Sequence, residues 1–310
     1  MHIDWAIAAA GAGVGFIVGL TGMGGGALMT PLLVLVFGIN PSAAVASDLV
    51  AAVIMKPVGG AVHLRRGTVD MRLVRLLVVG SVSAAFLSVW LLSRLQDPEA
   101  LDSVVKTSVG VALLLASTAM LAKSAFSKRP TVPGALGQLH LHPARTVAIG
   151  VFGGAVVGLT SVGSGSLMMV LLMLLYPTLA SKELVGTDLV QAVPLVAAAA
   201  AAHLLFGNVE LGLTTSLVVG AVPAVYLGAR ISSKAPDRII RPILVAVLVV
   251  SGLKMLGASN EVVGTVALVM GALAASLIVR ATRIAGTATL AVTGSELGSD
   301  PTLGAASAPA

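Results

Sequence analysis

Gly19-Leu20-Thr21-Gly22-Met23-Gly24-Gly25-Gly26-Ala27-Leu28-Met29 breaks one apolar stretch of this chain. A second stretch, 139 residues later, is broken by Gly158-Leu159-Thr160-Ser161-Val162-Gly163-Ser164-Gly165-Ser166-Leu167-Met168. The echo continues at an offset of 140: Ser47-Asp48-Leu49-Val50 answers to Thr187-Asp188-Leu189-Val190, His63-Leu64 to His203-Leu204, and Gly67-Thr68-Val69-Asp70 to Gly207-Asn208-Val209-Glu210. One unit has been duplicated. Paired helix breaks at corresponding places in two membrane halves point to a transporter whose substrate site lies where the repeats meet.

Composition assigns the class. With 57% hydrophobic and only 10% charged residues, the chain cannot cover its apolar surface with polar groups in water, so a polytopic all-α membrane protein is expected. The 310 residues include no cysteine, which removes disulfides and thiolate metal ligands. The net charge of +6 is small, and its basic residues sit in loops between apolar runs, where they orient the protein rather than bind nucleic acid. Met1-His2-Ile3-Asp4-Trp5 lacks a basic leader, so the first apolar segment is expected to stay in the mature protein.

Apolar runs lie at 43–64, 73–93, 101–122, 183–205, 211–230, 242–256 and 261–280, most near the roughly 20 residues that span a bilayer. Segments 5–20 and 27–37 are shorter, as are 146–160 and 166–176. Each pair, split by a glycine-rich break, is either a broken helix or a re-entrant hairpin. Loop charge separates the two readings. Arg65, Arg66, Arg72 and Arg75 form one cluster; Lys123, Lys128, Arg129 and Arg145 a second; Arg230, Lys234, Arg238 and Arg241 a third; Arg280 and Arg283 a fourth. All four fall on the cytoplasmic side if each short pair is a hairpin, and the third falls outside if each pair crosses once.

The hairpin reading gives two inverted repeats, each a hairpin plus about three transmembrane helices, and one extra C-terminal span. The expected divisions are a first repeat at 1–122, a cytoplasmic linker at 123–144, a second repeat at 145–256, an extra helix at 257–283 and a disordered cytoplasmic tail at 284–310. His140 and His142 in the linker alternate without a third ligand nearby and read as a solvated loop, not a metal site. No cofactor is expected.

The two breaks, the Gly186-Thr187-Asp188-Leu189 element, the 140-residue duplication and the length resemble the TauE/SafE family of membrane permeases, often called sulfite exporters, over about residues 5–280. The resemblance implies a multi-pass transporter of the bacterial inner membrane that moves small sulfur-containing anions: sulfite, sulfonates such as sulfoacetate, or related organic anions.

The chemistry of the breaks suits an anion. Where two half-helices meet at mid-membrane, the free N–H groups at the start of the second half offer positive charge without a cationic side chain. The residues expected against the ligand are Thr21, Gly22, Gly24, Gly25 and Gly26 in the first break and Thr160, Ser161, Gly163, Ser164, Gly165 and Ser166 in the second. The alternative is that the glycines only allow tight helix packing and the hydroxyls bond back to their own helix.

Charge inside a span costs about 2.5–3.5 kcal/mol even on lenient scales, so Asp48, Lys56, His63, Asp188 and His203 are each candidates. Asp48 and Asp188 are repeat-equivalent: they could carry protons as the coupling ion, bind a coupling cation, or clamp the neighbouring hairpin. Lys56 has Val196 as its counterpart and reads either as an anion attractor or as a partner of Asp48. His63 and His203 fall near span ends, where histidines are usually solvated. Gln191 and Pro194 share a stretch with Asp188 and are expected to line the cavity. No Gly-x-Ser-x-Gly elbow, His-Glu-x-x-His or cysteine nucleophile supports an enzyme. An anion channel is the stronger competitor, because re-entrant hairpins also build filters.

Overall fold

The structure is a computed structural model that describes residues 3–21, 25–126, 139–207, 209–231 and 237–276. Among these residues every regular element is a helix: α1 (Trp5–Thr21), α2 (Gly26–Leu35), α3 (Pro41–Arg65), α4 (Met71–Leu92), α5 (Pro98–Phe126), α6 (Pro143–Thr160), α7 (Leu167–Leu175), α8 (Ser181–Phe206), α9 (Leu211–Ile231), α10 (Asp237–Met255) and α11 (Asn260–Ser276). Six of them, α3, α4, α5, α6, α8 and α9, are long and apolar enough to cross a membrane. This is a polytopic all-α membrane protein. Most of the linker and the whole tail lie outside the described residues.

Helix starts follow local chemistry. Proline opens α3, α5 and α6, at the position where its missing N–H costs nothing. Asp70 caps α4, accepting hydrogen bonds from the Arg72 and Leu73 amides at 2.9 and 3.4 Å. α10 begins earlier than the apolar run at 242–256, since its first turn is drawn from the basic segment before Pro242. α3 and α8 continue as single helices through Pro57 and Pro194.

Small residues bring the helices together in two parallel seams. A Cβ on Gly11 or Gly15 of α1 would press on the backbone of Leu217 or Ala221 of α9, and one on Gly19 would meet Val225 and Ala229. The matching seam joins α4 to α6, with Gly150 against Leu77, Gly154 against Ser81 and Gly158 against Ala85. In both seams residue numbers rise together, so the helices run the same way. Such close backbone approach is how helices associate where burial of apolar surface from water is no longer available.

α3 and α8 are repeat-equivalent and cross each other in opposite directions: Gly59 faces Leu189, whereas Gly186 faces His63, further along α3, and Thr68 in the turn after it. α4 runs with α8, since the Asp70 amide meets Thr187 and Ser81 meets Gln191. The largest buried cluster fills the centre, from Val45 and Leu49 of α3 through Val109 and Leu113 of α5 to Leu195 of α8 and Leu248 of α10. Val157, next to the second break, and Val162 within it belong to this cluster.

Candidate functional site

The two breaks meet. Gly26, the first residue of α2, lies so close to the Ser161 carbonyl of the second break that a Cβ could not be accommodated. Ser161 ends α6 in the left-handed region at φ 59°, and Gly163 and Gly165 follow at φ 114° and 97°. Glycine is the residue that adopts such angles without strain, so these two positions need it. α2 and α7 start at this junction, and neither N-terminus carries a side-chain cap. The positive ends of both helix dipoles therefore converge on one place, and the Gly163 carbonyl accepts the first two N–H groups of α7, those of Leu167 and Met168. Gly22 and Gly24 lie outside the described residues.

Ionisable side chains from α3 and α8 gather around the junction. Ser161 Oγ donates to Asp48 Oδ2 at 2.6 Å, and Lys56 Nζ donates to Ser164 Oγ. Both contacts join helix α3 of the first repeat to the break of the second. Asp188 Oδ1 accepts from Gln191 Nε2 at 2.9 Å, and Gln191 Oε1 in turn accepts from Ser81 Oγ at 3.3 Å. Lys56 lies within coulombic range of both carboxylates, but it forms no ion pair with Asp48; its hydrogen-bond partner is Ser164.

A cavity of about 80 Å³ opens between these groups, where one water needs about 10–15 Å³. Its polar wall is Lys56, Ser164 and Asp188, with Gly25 and Gly165 completing the two breaks. Apolar side chains, among them Val18, Met55, Leu189 and Val225, form the remainder. The cavity extends past Gly59 and Ala229, toward the helix ends that carry Arg65 and Arg230.

The fold sorts the expected site residues by their place around the junction. Gly25, Lys56, Ser164, Gly165 and Asp188 line the cavity. Asp48, Ser161 and Gln191 are buried behind that wall, Asp48 bonded to Ser161 and Gln191 to Asp188. Thr21 and Thr160 turn their hydroxyls back to the carbonyls of Ile17 and Val156, at 2.8 and 2.6 Å. Thr160 Oγ1 also accepts from the Val162 amide at 3.1 Å, inside the second break. Gly26 and Gly163 shape the junction, and Ser166 is half-buried at the start of α7.

Of the two histidines, His203 departs from the expectation of a solvated place. His203 is only 3% exposed, and its Nε2 lies 2.9 Å from the Gly158 carbonyl. It shares the wall of a small pocket with Phe206 and Leu92, yet it is buried at a position whose place near a span end suggested water. His63 is partly exposed, and its Nδ1 meets Thr68 Oγ1 at 2.9 Å. Ser81 was not legible as a site residue: nothing in an apolar helix marks one serine as the support of a glutamine 110 residues away.

Outside the spans, the turn between α3 and α4 is fixed by Asp70. Burial by itself would raise this carboxyl, but hydrogen bonds from the Arg72 side chain and the Arg72 and Leu73 amides outweigh it and hold it below the usual carboxylate range. The Arg72 guanidinium sits 3.0 Å from Asp70 Oδ2.

The sequence model of the family described as "Sulfite exporter TauE/SafE" matches residues 7–255. Among curated proteins, the chain is 38% identical to the "Probable membrane transporter protein YjnA" of Bacillus subtilis (strain 168), over 78% of this chain and 96% of that one. It is 23% identical to the "Probable membrane transporter protein YdhB" of the same organism, again over 78% and 96%. "Probable membrane transporter protein YtnM", also from that organism, is 34% identical over 44% of this chain and 43% of its own length. No solved structure matches the chain.

Proposed function

Because the chain belongs to the sulfite exporter TauE/SafE family, we propose that it exports small sulfur-containing anions, such as sulfite and sulfoacetate, across the bacterial inner membrane by proton-coupled alternating access. The observation that carries this reading is the convergence of both glycine breaks on a single cavity whose one cationic side chain among the described residues is Lys56. An oxyanion there would meet the Lys56 ammonium, the Ser164 hydroxyl, the leading N–H groups of α2 and the positive end of the α7 dipole. That set offers charge-assisted donors without requiring an arginine.

In this reading the repeats are inverted about an axis in the membrane plane. The opposed directions of α3 and α8 support it, as equivalent helices would run parallel about an axis along the membrane normal. The parallel course of α1 with α9 and of α6 with α4 supports re-entrant hairpins, with each pair entering and leaving on one side. The ends carrying Arg65, Arg72, Arg75, Arg145 and Arg230 then share one face, the cytoplasmic one by the charge rule. The cavity opens toward that face, as an inward-facing exporter requires.

Asp188 in the wall and Asp48 behind it are the proton carriers in this scheme, each reaching the cavity in one of the two states. Flux of sulfite and sulfoacetate into proteoliposomes tests the proposal. Saturable uptake with counterflow, driven by an imposed pH gradient, is the expected result. Current without counterflow would replace the carrier with a channel, and absence of any anion flux would overturn the reading.

A further inference from the structure

The two repeat-equivalent histidines sit in non-equivalent states, and the difference follows the cavity. His203 of α8 is buried with Nε2 on the Gly158 carbonyl of α6. A carbonyl only accepts, so this nitrogen carries the ring proton. The corresponding partners in the first repeat are His63 of α3 and Gly19 of α1. They are not bonded to each other: His63 Nδ1 turns to Thr68 on its own loop, and Gly19 stands in the open wall of the central cavity.

Packing around the two sites differs in the same sense. Ala199 of α8 is fully buried, whereas its counterpart Gly59 lines the cavity. Beyond His203, on the opposite end of the bundle from Arg65 and Arg230, lies a pocket of about 70 Å³ walled by Ser42, Val89, Ser93 and Gly207. Val89 is the counterpart of Ala229, which lines the central cavity. This pocket therefore reaches inward along the route that the repeat relation assigns to an open path, and it stops at the imidazole.

We infer that His203 on Gly158 is the latch of the outer gate, and that His63 on Gly19 forms the matching inner latch when the protein faces outward. The inference rests on the carrier reading above. Opening the outer side breaks the His203 bond, exposes Ala199 and Gly158 as Gly59 and Gly19 are exposed now, and joins the outer pocket to the site. Asp48 then takes the place that Asp188 holds in the present cavity.

The cysteine-free chain allows a direct test with Ala199→Cys as the sole thiol, labelled from outside intact cells by a membrane-impermeant maleimide. With His203 present, labelling is slow. His203→Ala and His203→Phe, the latter keeping bulk but no donor, should each speed it about five- to tenfold, the population shift that one hydrogen bond controls. His203→Gln, which can still donate to the Gly158 carbonyl, should stay near the wild-type rate. Val58→Cys, labelled from the cytoplasmic side in inverted vesicles, reports that each variant is folded. Wild-type labelling rates in both the Ala and Phe variants would overturn the latch. Anion flux measured in the same membranes keeps the two ideas apart: flux with labelling indifferent to residue 203 removes the latch alone, and no flux removes the carrier.

Discussion

Ser161 and Asp48 are 113 residues apart in sequence, and a hydrogen bond of 2.6 Å joins them at the junction of the two repeats. The same short segment that turns α6 into the second break thus holds the carboxylate of α3. Losing the donor leaves a buried carboxylate short of a partner. Ser161→Ala should lower the thermal midpoint in detergent by an amount equivalent to about 1–3 kcal/mol. An unchanged midpoint would show that the bond is not made in the bilayer-extracted protein.

Lys56 is expected to dominate anion affinity. Lys56→Met keeps the length of the side chain and removes its charge, so sulfite or sulfoacetate should bind about 10- to 100-fold more weakly, as for loss of a charged hydrogen bond. Calorimetry on purified protein measures this, and undiminished affinity would take Lys56 out of the site.

Adjacent glycines should behave differently. A Cβ on Gly25 meets only ordinary contacts, at 3.5 Å from Met55 Cε and 3.7 Å from Asp48 Oδ1, so Gly25→Ala should fold normally and Gly25→Leu should fold but fill the cavity and abolish binding. Gly26→Ala drives a methyl into the Ser161 carbonyl and should cost about 1–3 kcal/mol or more. Equal stability of the two alanine variants would contradict the contact between the breaks.

Proton coupling through the carboxylates predicts that Asp48→Asn and Asp188→Asn both lose uptake driven by a pH gradient while keeping anion exchange. Proteoliposomes with and without the gradient separate these activities. Full gradient-driven uptake in both variants would leave the pair as scaffold.

Asp70 gives a pH signature outside the membrane. Its carboxyl is held below the usual range in the folded state, so its charge stabilises fully above about pH 4, the unfolded value, and that contribution is lost as pH falls through the lower folded value. Asp70→Ala should cost about 1 kcal/mol as a lost helix cap at neutral pH. The gap in thermal midpoint between wild type and variant should narrow only below about pH 4.

The parts of this architecture written in consecutive residues were legible. The breaks, the duplication and the long apolar runs are properties of adjacent positions, and they appear as α1 to α11 with shifts of a few residues. The seams were half legible: Gly11-x-x-x-Gly15-x-x-x-Gly19 and Gly150-x-x-x-Gly154-x-x-x-Gly158 are spaced for close packing, and α9 and α4 answer with Gly220, Ala224 and Gly228 and with Gly80, Ala84 and Ser88, yet spacing alone does not say which helix pairs with which. Pairings across the repeats were not legible, because nothing local to Asp48 distinguishes Ser161 from Thr21 as its donor. For His203 the misleading cue was depth along the helix, which says nothing about the neighbours that bury it.

The seams also bear on how the chain is made. α1 is emitted about 190 residues before α9, the helix that covers its glycine face, and at about 5–20 residues per second it waits on the order of ten seconds or longer for that partner. α4, by contrast, meets α6 after a much shorter delay. The first half therefore enters the bilayer with a backbone-deep groove still uncovered, and its assembly is completed only by the second half. Ribosome stalling or truncation before Leu211 should leave a species that membrane quality control recognises, even though every helix of the first repeat is already present.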